Sequence, residues 1–185
     1  MAAPNYSLYS VEMENTQSRL ITFSGLPGTG KTTLAKLLAV RLCAIYLRID
    51  TIEQALARCS LKIALAEDAG YETAYAIASD NLIIGRSIVA DSVNPIALTR
   101  DAWFAVAKST NAKLLEVEII CSNKDEHKNR IQSRRADISG HILPTWDQVL
   151  KREYEPWNRN RLVIDTASNN PDECLSLLMA ATGNG

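Results

Sequence analysis

The chain has 185 residues, 46% hydrophobic and 22% charged, with a formal net charge of −1. That length supports one domain with a substantial core, and the composition excludes a mainly disordered, collagen-like or membrane-spanning chain. Near-neutrality speaks against a general nucleic-acid binder, and aromatics at only 6% imply a mostly aliphatic core.

Residues 1–18 are polar and lack the basic start and apolar run of a signal peptide, so they read as a flexible tail before a single domain at 19–182. No apolar run reaches the roughly 18 residues that span a bilayer, so the protein is expected to be cytoplasmic, with no membrane partner. Leu20 to Ser24 reads as a short buried strand and Gly25 to Gly30 as a glycine-rich turn. From Lys31 the period becomes helical, with Leu34, Leu37, Leu38 and Leu42 on one face. Ala44 to Asp50 reads as a second strand, and Thr51 can cap the helix that follows. Residues 51–86 are Ala- and Leu-rich and mostly helical, with breaks expected near Ser60 and Gly70.

Ser87 to Asp91 is a third strand, Thr99 to Ser109 a helix and Lys113 to Cys121 a fourth strand. Asn123 to Arg135 is a polar, basic helix, and a loop from Ala136 to Pro144 follows. Thr145 caps a helix running to about Tyr154. Leu162 to Asp165 is the fifth strand, and Pro171 opens a last helix that ends before Gly183. Strands alternating with helices predict an α/β fold, a parallel sheet covered on both faces.

The near-zero net charge conceals a segregation. Residues 51–80 carry two basic against five acidic residues, a net −3, and residues 124–135 carry five basic against two acidic, a net +3. Cys43, Cys59, Cys121 and Cys174 sit beside apolar residues without metal-type spacing, so buried free thiols in a reducing compartment are expected. His127 and His141 lie near no cysteine in sequence, so no zinc site is expected.

Gly25-Leu26-Pro27-Gly28-Thr29-Gly30-Lys31-Thr32 fits G-x-x-x-x-G-K-[ST], with a strand before it and an amphipathic helix beginning inside it. Glycines allow the backbone angles that turn successive N–H groups toward a phosphate, and the helix N-terminus adds partial positive charge. Lys31 can reach the β/γ-phosphates, and the Thr32 hydroxyl can ligate Mg²⁺. Gly25, Pro27, Gly28, Thr29, Gly30, Lys31, Thr32 and Thr33 are therefore the candidate nucleotide-binding residues.

Two carboxylates stand at strand ends, where a parallel sheet binds its ligands. Asp50 could take a proton from a hydroxyl attacking the γ-phosphate, or it could simply open a helix. Asp91 could orient Mg²⁺ or its water shell, or be a turn residue. Arg48, two residues before Asp50, could hold an anionic substrate group or form a surface ion pair. Arg130 and Arg134 are four apart, so they share a helix face, and with Arg135 they make 123–145 a candidate lid. A lid excludes water and can bring an arginine onto the transferring phosphoryl group; a solvated charged face is the plainer reading. His127 reads as a surface residue of that helix, while His141 could touch substrate. Trp103 and Phe104 read as core, and Trp146, Tyr154 and Trp157 as packing for the lid's return.

GLPGTGKTT at 25–33, RID at 48–50, the strand-end Asp91, RIQSRR at 130–135 and LVIDTA at 162–167 together resemble the small, nucleoside monophosphate kinase-like P-loop kinases. The most similar group is the ATP-binding set related to polynucleotide kinase, zeta-type toxins, chloramphenicol phosphotransferase, gluconate kinase and adenylylsulfate kinase. The resemblance covers residues 19–182. It implies a five-stranded parallel sheet ordered 2-3-1-4-5, with ATP and Mg²⁺ as the donor system. It implies Asp50 as general base, Arg130 against the adenine, Arg134 on phosphate, and Thr166, Ala167 and Ser168 near the base.

The expected function is transfer of the γ-phosphoryl group of ATP to a hydroxyl of a small-molecule acceptor, with Arg48, Asp50, Asp91 and Arg135 as candidate acceptor-binding residues. The alternatives are an ATPase, a nucleotide-dependent switch, or a binding module; the absence of N-K-x-D argues against a GTPase. The acidic 51–80 region disfavours long nucleic acid as acceptor, leaving a nucleic-acid end open. Residues 51–86 are the natural acceptor-binding or docking segment, and nothing in the sequence bears on oligomeric state.

Overall fold

A computed structural model describes residues 17–60 and 68–183. Its five strands are β1 (Arg19–Ser24), β2 (Ile45–Arg48), β3 (Ile88–Asp91), β4 (Lys113–Ile120) and β5 (Leu162–Asp165). All neighbours pair in parallel, in the order β2-β3-β1-β4-β5, as expected. The helices are α1 (Lys31–Arg41), α2 (Ile49–Ala57), α3 (Ala69–Ile83), α4 (Ala97–Ser109), α5 (Lys124–Ser133), α6 (Trp146–Leu150) and α7 (Pro171–Thr182).

Strand side chains alternate between the two faces, so successive apolar residues feed two cores. Ile21, Phe23, Val89, Val117 and Ile164 pack on one face with Leu34 and Leu38 of α1 and Leu178 of α7. Leu20, Ile88 and Ala90 pack on the other with Ala78 and Leu82 of α3 and Trp103 of α4. Trp103 is fully buried, edge-on to Tyr75, but Phe104 is half exposed, with the Arg159 guanidinium over its ring. The four thiols are free; Cys121 and Cys174 are buried as expected, whereas Cys43 is exposed.

Several boundaries differ from the sequence reading. β2 stops at Arg48 and α2 starts at once, placing Asp50 in a helical first turn and Thr51 inside the helix. Ile49 is the reason: its side chain is 2% exposed, buried in the second core at the start of α2. The break expected near Gly70 is the start of α3 at Ala69; a Cβ on Gly70 would lie 2.5 Å from Glu53 Cγ, so the glycine lets α3 close on α2. α5 ends at Ser133, leaving Arg134 in extended backbone at φ −64°, ψ 137°. Arg130 and Arg134 therefore do not share a helix face. α6 has its Thr145–Gln148 capping box but ends at Leu150, well short of Tyr154. The segment beyond is drawn over α4 by Arg100, whose Nη2 donates to the Glu155 carbonyl and whose Nη1 donates to that of Pro156.

The expected tail falls mostly on residues 1–16, outside the described residues, but its end is already part of the fold: Ser18 is buried and its carbonyl accepts from Lys113 N–H. The expected break near Ser60 adjoins residues 61–67, also outside them. Among the described residues no helix is long and apolar enough to cross a membrane.

Candidate functional site

The carboxyl ends of β1, β2 and β3 lie side by side, with Phe23 opposite Asp91 and Asp91 opposite Arg48. The turn after β1 is the candidate phosphate cradle. Gly25 has φ +134°, and a Cβ there would lie 2.2 Å from the Ile119 carbonyl oxygen, so only glycine fits. Gly30, at φ +95°, precedes α1 without a side-chain cap, leaving the first N–H groups of the helix open for an anion. Lys31 is 7% exposed; burial pushes its ammonium pKa down, while the nearby Asp91 and Asp50 carboxylates oppose that.

α5 packs directly on this turn. A Cβ on Gly28 would lie 2.6 Å from Ile131 Cδ1. His127, expected on the surface, is buried with Nε2 2.7 Å from the Pro27 carbonyl. A carbonyl only accepts, so Nε2 carries the proton. The Trp146 ring stands nearly perpendicular to the imidazole at 5.1 Å. His127 and Ile131 are four apart on α5, a buried pair that the helical period of this polar stretch could have revealed.

Behind Lys31 lies a charged cluster. Asp91 is 2% exposed; its Oδ2 accepts 2.7 Å from the Tyr46 hydroxyl, and its buried Oδ1 has no partner. Burial, then the Asp91 carboxylate, hold the Tyr46 phenol far above its ordinary range. Arg48 is buried and grips Asp137 of the loop after α5 with two bonds, 2.7 and 3.0 Å. The same guanidinium lies 3.5 Å from Asp50 and 3.9 Å from Asp91. The Arg48 hydrogen bonds hold the Asp137 carboxyl well below the usual carboxylate range, and Lys36 at 3.1 Å adds to this. Arg48 is thus engaged by the protein's own carboxylates, a buried guanidinium whose principal partner, Asp137, is half exposed.

Three adjoining cavities surround these groups. One of about 400 Å³ is lined by Gly28, Lys31, Thr32, Thr33, Arg134 and Arg135 among others. A second, of about 260 Å³, continues past Gly30 and Thr33 to Arg130, Thr166 and Pro171. Arg130 Nη1 donates to the Thr166 hydroxyl at 2.7 Å, which in turn donates 2.8 Å to the Thr29 carbonyl, tying the loop after β5 to the cradle. The third, of about 430 Å³, lies on the other side of Lys31 and Arg134 and holds Asp50, Glu53, His141 and Arg152. Lys31 and Arg134 are the residues common to the first and third. Arg135 lines only the first.

Thr32, a hydroxyl at the start of α1, and Asp91, a buried carboxylate with an unpartnered oxygen, are the residues that could hold a magnesium ion. Glu53 and Arg152 are functional candidates that sequence reasoning missed. Glu53 follows Asp50 by three residues and so shares its helix face, a signal that the strand assignment for Asp50 obscured.

A family model described as AAA domain matches residues 20–156. No curated protein matches the sequence. Among solved structures, the chain is similar to the APS kinase CysC of Mycobacterium tuberculosis in complex with AMPPNP and APS, at 17% identity and TM-score 0.67, covering 90% of this chain and 98% of that one. It is similar to a gluconokinase from Sinorhizobium meliloti at 17% identity and TM-score 0.62, covering 90% and 93%. It is also similar to Chaetomium thermophilum Kti12 in complex with ADP-AlF3, at 20% identity and TM-score 0.65, covering 88% and 98%. At these identities the likeness is one of fold.

Proposed function

The chain belongs to the AAA domain family and has the fold of the nucleoside monophosphate kinase-like P-loop kinases, and from this premise we propose that it moves the γ-phosphoryl group of ATP to a hydroxyl of a small acceptor. The observation that carries the reading is the position of Lys31 and Arg134 on a wall common to two cavities, one over the phosphate cradle and one holding Asp50. A phosphoryl group passing between donor and acceptor needs cations at that boundary.

The open N–H groups at the start of α1 receive the phosphates, and Arg130 and Thr166 flank the adenine side. Thr32 and Asp91 Oδ1 would hold Mg²⁺, which when bound supplies neutralisation of phosphate charge. Asp50 accepts the acceptor's hydroxyl proton as that oxygen bonds to the γ-phosphorus. The bond from the γ-phosphorus to the bridging oxygen breaks, and ADP leaves. Lys31 and Arg134 stabilise the charge spread over the transferring group. Gly25 and Pro27 fix the cradle's shape and Thr29 supplies its carbonyl to Thr166.

Asp50→Asn tests this: transfer to hydroxyl acceptors should fall about 10²–10⁴-fold while ATP binding persists. Full transfer by that variant removes the base. A second reading is ATP hydrolysis without an organic acceptor, supported by the solvent-exposed Ile142 on the third cavity's lining. ATP turnover that no hydroxyl compound alters would favour it.

A further inference from the structure

Two residues of β2 reach the same buried carboxylate of β3, and they differ in charge. Tyr46 and Arg48 are two apart on the strand, so they share a face, and Arg48 stands opposite Asp91 in the register. The Tyr46 hydroxyl donates 2.7 Å to Asp91 Oδ2. Arg48 Nε lies 3.9 Å from that same oxygen, beyond hydrogen-bond reach, and is buried without a partner. Among the described residues it is the only cation within 4.0 Å of Asp91. A guanidinium N–H beside a buried carboxylate normally closes to about 2.9 Å. Here it is held off from two sides: Asp137 takes Nη1 and Nη2, and Tyr46 already occupies Oδ2. Asp91 Oδ1, the only buried carboxylate oxygen among the described residues with no hydrogen-bond partner, is left over.

We propose that Tyr46 is a positioning residue for the nucleotide's magnesium ion: its uncharged hydroxyl fixes Asp91 through Oδ2 and leaves Oδ1, with the carboxylate's negative charge, to the metal. This rests on the reading of Asp91 as a magnesium-holding residue. An arginine bonded at Oδ2 would also orient the carboxylate, but its positive charge would oppose an incoming cation. A phenol orients Asp91 without that repulsion. Carboxylates that bind metals are themselves held by hydrogen bonds, and those partners set much of the metal affinity. The Tyr46 ring packs against the core of Val89, Leu34 and Leu38, which fixes where its hydroxyl stands. Without the hydroxyl, Oδ2 falls to Arg48 Nε, which needs a shift of only about 1 Å to bond it. Tyr46 is thus both a clamp on Asp91 and a spacer against Arg48.

The test is metal binding by Tyr46→Phe, which keeps the ring in the core and removes only the hydroxyl. Mn²⁺ is the probe and AMPPNP the nucleotide. Paramagnetic resonance of free Mn²⁺ should show the variant's AMPPNP complex holding the ion about tenfold more weakly than the wild type, or weaker still. Calorimetry of AMPPNP in EDTA should give both proteins the same affinity, and in Mg²⁺ a lower one for the variant. In an Asp91→Asn background, Tyr46→Phe should change Mn²⁺ affinity less than about twofold, because the residue it acts through is gone. Thermal unfolding in EDTA separates a lost metal site from a lost fold. Tyr46→Phe binding Mn²⁺ as tightly as the wild type, or AMPPNP affinity falling equally in EDTA and in Mg²⁺, overturns this assignment alone. Asp91→Asn binding Mn²⁺ as tightly as the wild type overturns the reading of Asp91, and the assignment with it.

Discussion

Asp137→Asn removes one charge from the hydrogen-bonded contact between the loop after α5 and the end of β2. In the wild type Arg48 gives Asp137 two hydrogen bonds, at 2.7 and 3.0 Å, and Lys36 adds a third contact at 3.1 Å. An asparagine keeps one acceptor and turns an amide toward the other guanidinium N–H. A lost charge-assisted bond costs about 1.5–3 kcal/mol. The Asp137 side chain is 45% exposed, so solvent screening reduces this to about 1–2 kcal/mol. For a chain of this length the unfolding midpoint should fall by about 2–8 °C. The sign with pH follows from the depressed carboxyl. Its contribution is present above the unfolded aspartate pKa of about 3.9 and is lost as pH falls through the lower folded value. Thermal unfolding of both proteins across pH 3–8 should show the full gap from about pH 5 upward, narrowing below about pH 4. Equal midpoints at neutral pH, or a gap that widens in acid, would refute the latch. Hydrogen exchange should also quicken over residues 134–145 in the variant.

Gly25→Ala should be far more destabilising than Gly30→Ala in urea unfolding. Both pay for a positive φ, about 1–3 kcal/mol, but only the first drives a Cβ to 2.2 Å from a backbone oxygen, against 3.5 Å from a side-chain methyl; equal losses would contradict the packing. Arg134→Gln should lower kcat about 10³-fold or more while changing ATP affinity less than tenfold, measured by single-turnover kinetics and calorimetry. The reverse pattern would make Arg134 a ground-state ligand. His127→Leu should cost about 1–3 kcal/mol by leaving the Pro27 carbonyl buried and unpaired, and it should weaken ATP binding through the cradle. Unchanged stability and affinity would show that the bond does not support the cradle.

The parts of the site legible in the sequence are those written in local chemistry. Glycines at fixed spacing, a lysine and hydroxyl at a helix start, and short apolar runs ending in Asp depend on neighbours within a few residues. Thr145 is legible for the same reason, since a cap acts within its own turn. The errors sit where a distant group decides. Arg48 meets a partner 89 residues away, and His127 one 100 residues away. Arg134 looks helical beside Arg130, yet its backbone extends where the chain turns toward Asp137. Asp50 looks like a strand end until Ile49 is buried as the first residue of a helix. No periodicity carries those facts.

Two buried guanidiniums explain how an irregular stretch can shape the acceptor cavity. Between Arg134 and Trp157 only Ile138 and Val149 are buried hydrophobics, too little apolar surface to fix some twenty residues. Arg48 fixes the early part through Asp137. Arg100, 1% exposed, fixes the late part by donating to the carbonyls of Asn94, Pro95, Glu155 and Pro156, with the Trp157 ring 4.3 Å from its centre. Its charge is met by carbonyl dipoles and aromatic faces, not by a carboxylate, so it holds chain direction without adding a negative group beside the cleft. Between these anchors Arg58 donates to the Ser139 carbonyl at 3.0 Å and Trp146 stands against His127. His141 to Pro144 and Arg152 lie between the two guanidinium anchors and line the cavity beside Asp50. That cavity therefore has one wall from the sheet side, Lys31 and Asp50, and another from a loop held mainly by guanidinium contacts.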